Sequence, residues 1–270
     1  MTMSILTVTV LASVLATVTL SAPPVFRLAS YYGDHMVLQM EPHQSIIWGY
    51  GEENSDIEVN LKEKIYTTTT YQGPDGIQWI WKITLDVMPP SGPFSIEIKH
   101  HASMTDVITL RDVLFGDVWL CGGQSNMVFS VTQAFNATME AMLSYEYPYI
   151  RLFTVNLNES EKALYDLESV EEPWSVPSPA TVSAGAFKYF SATCWFYGRN
   201  LYDHLQYPIG LLVSSYGGTP VEAWSSPDAL KVCNRTELQE ANNSKKSDII
   251  EAKKNDPNWD AKFGGPGAHS

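Results

Sequence analysis

The sequence predicts an α/β protein in which an antiparallel β-sandwich precedes a sheet of parallel strands covered by helices. Three observations carry that reading. Between Phe26 and Arg111, short β-branched or alternating runs recur with turn signals between them. From Val113 onward, apolar runs of strand length alternate with stretches of helical periodicity. A chain of 270 residues, 44% of them hydrophobic and 17% charged, is large enough for one large or two modest cores.

In the first part the expected strands are Ser45–Tyr50, Ile57–Leu61, Ile65–Thr68, Gln78–Ile83 and Phe94–Ile98. Gly73-Pro74-Asp75-Gly76 and Pro89-Pro90-Ser91-Gly92 supply turns. Trp79 and Trp81 share one face at period two and read as core rather than as a sugar platform. The second part opens with a strand at Val118–Cys121, after which Val128, Val131, Phe135, Met139 and Met142 recur at helical spacing. Ile150–Val155 is the next strand, and the polar, Pro-punctuated stretch Glu159–Pro179 reads as a loop. Phe187, Phe190, Cys194, Tyr197, Leu201 and Leu205 mark one stripe of a helix that Pro208 ends, and Ile209–Ser215 is a third apolar strand. Such strand–helix–strand units call for helices on both faces of a parallel sheet.

The flanks differ in kind. Thr7–Ala22 is an uncharged apolar run, too short for a membrane span, and reads as a signal peptide cleaved after Ser21 or Ala22, although no Lys or Arg precedes it. The expected organisation is a leader at 1–22, a β-sandwich at 23–112, an α/β domain at 113–233 and a polar tail at 234–270. That tail has too few large apolar residues for a core of its own and reads as disordered or loosely helical. Sequons at Asn136, Asn158, Asn234 and Asn242 suit glycosylation on a secretory route. A net charge of −13 argues against nucleic acid or anionic membrane as partner. No set of histidines, cysteines and carboxylates has ligand spacing, so neither metal nor other cofactor is expected. Cys121, Cys194 and Cys233 make an odd count, and Cys121, in an expected buried strand, reads as an inert thiol.

Two stretches suggest chemistry. In Gly122-Gly123-Gln124-Ser125-Asn126-Met127 an apolar strand breaks at two glycines and releases a serine into a tight turn. A serine so placed is either a solvated turn residue or a nucleophile, and as a nucleophile it needs a base and an oxyanion site. Met127 excludes the Gly-x-Ser-x-Gly elbow, and the absence of a following Lys excludes a phosphate loop. The second stretch is Tyr216-Gly217-Gly218-Thr219-Pro220-Val221-Glu222-Ala223-Trp224. There Thr219 and Glu222 have capping-box spacing and Pro220 falls at a first helical position, which puts the two glycines before a helix N-terminus. In a parallel sheet both stretches lie at strand C-terminal ends, where ligands bind.

Gly116-Asp117-Val118-Trp119 followed by Gly123-Gln124-Ser125-Asn126-Met127 resembles the nucleophile block of the SGNH-type carbohydrate acetylesterases. The likeness extends to Phe26-Arg27-Leu28-Ala29-Ser30-Tyr31, His35-Met36-Val37-Leu38-Gln39, Tyr207-Pro208-Ile209-Gly210 and the Gly217 stretch. Gly122 departs from the serine usual in that family. The resemblance implies an SGNH, flavodoxin-like sheet, Ser125 as nucleophile, Gly217 or Gly218 as oxyanion donor, and substrate contacts from Gln124 and Asn126. It also implies O-acetylated sialic acid or another acetylated sugar as substrate, and a secreted or lysosomal location. The family's Asp-x-x-His pair and its Gly-Glu-Ser-Asn block are absent, so the α/β domain is expected to be incomplete and the chain alone inactive. A non-catalytic glycan-binding protein and a non-functional fragment are the alternatives. An anionic sugar would call for a nearby cation, for which Arg151, Lys188 and Arg199 are the candidates.

Overall fold

The computed structural model describes residues 26–101, 106–158, 160 and 163–232. The expected leader and tail, Asn234, Asn242 and Cys233 lie outside the described residues. In chain order the strands are β1 (Arg27–Leu28), β2 (Val37–Gln39), β3 (Ile46–Tyr50), β4 (Asp56–Leu61), β5 (Lys64–Thr69), β6 (Tyr71–Gln72), β7 (Trp79–Thr84), β8 (Ser91–His100), β9 (Val107–Gly123), β10 (Ile150–Val155), β11 (Val170–Ser175) and β12 (Ile209–Ser215). The α-helices are α1 (Ser125–Val128), α2 (Ala137–Leu143), α3 (Pro179–Val182), α4 (Ala192–Leu205) and α5 (Pro227–Val232). An antiparallel sheet β1-β3-β7-β6 faces a long mixed sheet ordered β11-β10-β12-β9-β8-β4-β5, with β2 beside β9. The fold is mixed α/β.

β9 organises the molecule. Its first half pairs antiparallel with β8, and from Asp117 to Gly123 it pairs in parallel with β12. One 17-residue strand therefore belongs to both the sandwich and the parallel sheet. The handover occurs at Gly116, where an added Cβ would lie 1.9 Å from the Pro208 carbonyl oxygen, so no side chain fits. β2 runs along the opposite side of β9 as far as Gly116. Past that point no strand among the described residues covers this side of β9, and Leu120 is 70% exposed.

Period-two alternation divides the sheet between two cores. Ile150, Leu152, Leu211 and Val213 face α4 and pack with Trp195 and Phe190. Phe153, with Leu212 beside it, packs into the sandwich core with Trp81, Phe115 and Trp174. Trp81 is fully buried, in keeping with its reading as core. The helices thus cover one face of the parallel sheet, and the sandwich takes the other where a second helical layer was expected.

Several local expectations need correction. The helix expected after Ser125 is broken into α1, a 3₁₀ turn at Val131–Gln133, and α2. Ser130 and Gln133 form a reciprocal capping box, and Asn136 takes a left-handed conformation (φ 59°), so the chain cannot run on as one helix. Phe135, Met139 and Met142, read as its apolar stripe, are exposed. The expected loop Glu159–Pro179 contains β11, antiparallel to β10. α4 starts at Ala192 on a Ser191 cap, leaving Phe187 outside it at φ 55°. Cys121 is not a thiol: it forms a disulfide with Cys194, joining the end of β9 to α4 with Cα atoms 5.9 Å apart.

Candidate active site

Ser125 is the first residue of α1, directly beyond the C-terminal end of β9. Its side chain is exposed, and its Oγ donates a hydrogen bond to Gln124 Oε1 at 3.1 Å. As the first N–H of a helix, the Ser125 amide has no intrahelical carbonyl to pair with. The turn is fixed from the neighbouring strand, since the Tyr216 N–H donates to the Gly123 carbonyl at 2.9 Å. That bond brings the second glycine stretch alongside: a Cβ built on Gly217 would stand 4.0 Å from Ser125 Cα and Cβ. Gly218, at φ 80°, occupies a conformation that favours glycine.

The helix expected after these glycines is a single 3₁₀ turn, Val221–Trp224, with Pro220 at the N-cap rather than inside it. Thr219 is not a cap. Its hydroxyl donates to the Tyr216 carbonyl at 2.7 Å and accepts from Trp224 Nε1 at 2.9 Å. The loop is therefore held by a threonine–tryptophan bond and owes little to a helix dipole. Gln124 and Asn126 are both exposed beside Ser125, and the Asn126 carbonyl accepts from Thr193 Oγ1 of α4 at 3.3 Å.

No described histidine serves Ser125. His35 bonds Asp112 through Nδ1 at 2.7 Å, near the other end of β9. Buried His100 lies 3.5 Å from Asp106, His101 pairs with Glu58, and exposed His43 lies between β2 and β3. His204 is in the last turn of α4, near the start of β12 rather than its end.

The candidate cations separate cleanly. Arg151, its side chain 5% exposed, forks onto both oxygens of Asp112 at 2.6 and 3.2 Å. Arg199 pairs with Glu140 at 2.6 Å. Burial pushes the Asp112 carboxyl up, but hydrogen bonds from Arg151 and His35 prevail and hold it below the usual carboxylate range. Lys188 is exposed, and no carboxylate forms an ion pair with it among the described residues.

Lys188 lines a small cavity with Met127, Val128, Thr154, Glu171 and Ser215, behind α1 and over the ends of β10 and β12. Sequence reasoning missed this wall because β11 was read as loop. Its inward positions are Glu172 and Trp174, and a buried glutamate breaks the apolar alternation that signals a strand. Burial raises the Glu172 carboxyl to about 8, while the Ser175 and Thr154 hydroxyls that donate to it pull the other way. Burial also raises Glu171, with Lys188 opposing. Asn136 and Asn158 are both exposed.

No protein-family model matches the chain. A crystal structure of a carbohydrate acetylesterase from Xanthomonas citri superposes on 76% of the chain and 43% of its own, with a TM-score of 0.66 and 27% identity. Fold and strand-end serine therefore place the chain among the carbohydrate acetylesterases in architecture. More particularly, it is similar to sialate O-acetylesterases. It is 47% identical over 214 residues to that of Rattus norvegicus and 44% identical over 214 residues to that of Homo sapiens, matches that cover 77% of this chain and 39% and 40% of those proteins. The Mus musculus protein is 44% identical over 225 residues. The chain spans about two fifths of the length of these relatives.

Proposed function

We propose that the chain carries the nucleophile side of a serine esterase that removes O-acetyl groups from sialic acids or related sugars. The observation that carries this is the placement of Ser125 between the end of β9 and the Gly217 loop. Ser125 Oγ attacks the acetyl carbonyl and loses its proton to a base. The oxyanion accepts hydrogen bonds from the Ser125 amide and from Gly217 or Gly218, with Gln124 and Asn126 flanking the sugar. Collapse expels the sugar hydroxyl, and water then hydrolyses the acetyl-serine. The base comes from outside the described residues.

In a form extended to the length of its relatives, fluorophosphonate labelling is lost in Ser125→Ala; labelling that survives the substitution sinks the assignment. General-base help is worth about 10²–10⁴-fold. The 270-residue chain alone should therefore release acetate from 4-nitrophenyl acetate no faster than its Ser125→Ala variant. The Cys121–Cys194 disulfide and the exposed Asn136 and Asn158 sequons support a secreted or lysosomal glycoprotein. An amidase-induced loss of glycan mass from the protein expressed in animal cells checks that reading, and an unchanged mass refutes it.

A further inference from the structure

We infer that Lys188 is the specificity residue that receives the carboxylate of an anionic sugar, an inference that rests on the sugar-ester reading above. Of the cations weighed for this role, Arg151 and Arg199 already hold Asp112 and Glu140, whereas Lys188 lines the cavity behind α1. Lys231, also in the α/β part, lies 3.7 Å from Asp228 on the exposed α5. Lys188 and the nucleophile's helix thus share one wall, at the strand ends where α/β sheets bind ligands.

The loop that carries Lys188 is pinned in place. The Ser130 hydroxyl donates to the Gly185 carbonyl at 2.8 Å, the Phe187 N–H donates to Gln133 Oε1 at 3.0 Å, and the Lys188 N–H donates to the Gly185 carbonyl at 3.2 Å. Phe187 is held at φ 55°, an uncommon conformation for a bulky side chain, and strained residues of this kind cluster at ligand sites. Its ring meets Phe129 edge to face, with centroids 6.4 Å apart, beside the cavity. The cavity measures about 20 Å³, room for a water or a carboxylate group rather than for a sugar ring. Glu171 in the same wall opposes an incoming anion and tempers the affinity Lys188 provides.

The probes are N-acetylneuraminic acid and its methyl ester, titrated by NMR into the 270-residue chain. The acid should bind at least about tenfold tighter than the ester, the order of one charge-assisted bond. Lys188→Ala should erase that ratio, Lys188→Arg should restore it, and Glu171→Gln should increase it. Melting temperatures of these surface variants check that the fold is kept. Equal binding of acid and ester, binding of neither, or a tenfold ratio that persists in Lys188→Ala overturns the inference. Ser125→Ala should keep the ratio, so failure of the esterase reading registers separately as labelling that survives that substitution.

Discussion

The two ends of β9 invite comparison. Near its start lie a histidine, a carboxylate and an arginine in close contact: His35, Asp112 and Arg151. Just past its end stands Ser125, whose Oγ bonds only the adjacent Gln124 among the partners described. Roughly 35 Å of strand separates them, at about 3.3 Å per residue. The more catalytic-looking cluster is the structural one. Arg151 is buried and also donates to the carbonyls of His35 and Pro148, so the group ties β2, β9 and the start of β10 together. The serine end is held differently, by a disulfide between β9 and α4, and the Ser125 hydroxyl takes no part in that link. Polar pairs between elements thus mark a joint at one end, and at the other the proposed nucleophile bonds only its neighbour in sequence among the partners described.

Breaking each end should therefore have different consequences. The largest effect is expected at the serine end. Cys121→Ala/Cys194→Ala, or reduction, releases a link between residues 73 apart and should cost about 4 kcal/mol in urea unfolding. A loss below about 1 kcal/mol would show that β9 and α4 hold together without it. At the opposite end, Arg151→Met leaves the Asp112 charge without its main partner and should cost about 3 kcal/mol, somewhat discounted because Asp112 is partly exposed. Melting curves of this variant give the cost. In the form extended to relative length, fluorophosphonate labelling of Ser125 should be unchanged, whereas a joint fall in labelling would make the cluster part of the site.

The smallest effect sharpens the picture of the serine end. Glu172 has a folded pKa raised to about 8 from 4.5, so the native state keeps a proton that the unfolded chain has lost. Stability from this group is full below about pH 4.5 and is lost as pH rises toward 8. Glu172→Gln cannot ionise, and its amide oxygen accepts from one of the two hydroxyls while its NH2 donates to the other. It should gain about 2 kcal/mol at pH 6 and almost nothing at pH 4, and flatten the profile up to pH 8. Parallel profiles for the two proteins would place the titration elsewhere.

Much of this architecture was legible beforehand. β10 and β12 lie where apolar runs predicted them, and β3, β4, β5 and β7 lie within a residue or two of their expected bounds. Hydrophobic periodicity reports which residues leave water, and these strands are buried in the regular way that periodicity assumes. β11 escaped because a glutamate, Glu172, occupies a buried inward position. The helix after Ser125 was over-read because Phe135, Met139 and Met142 match the spacing yet lie outside the core.

By itself, then, the sequence determined β3, β4, β5, β7, β10 and β12, the α/β class, the strand-end serine and its glycine-rich companion loop, because each depends on local pattern or on a contiguous motif. Tertiary structure decided what depends on distance in space. It coupled Cys121 to Cys194, brought Gly217 against Ser125, set His35 and Arg151 at the far end of β9, and left Lys188 facing the cavity. Sequence spacing carries none of these relations, since a single strand shared by two cores sets which residues meet and which stay a strand's length apart.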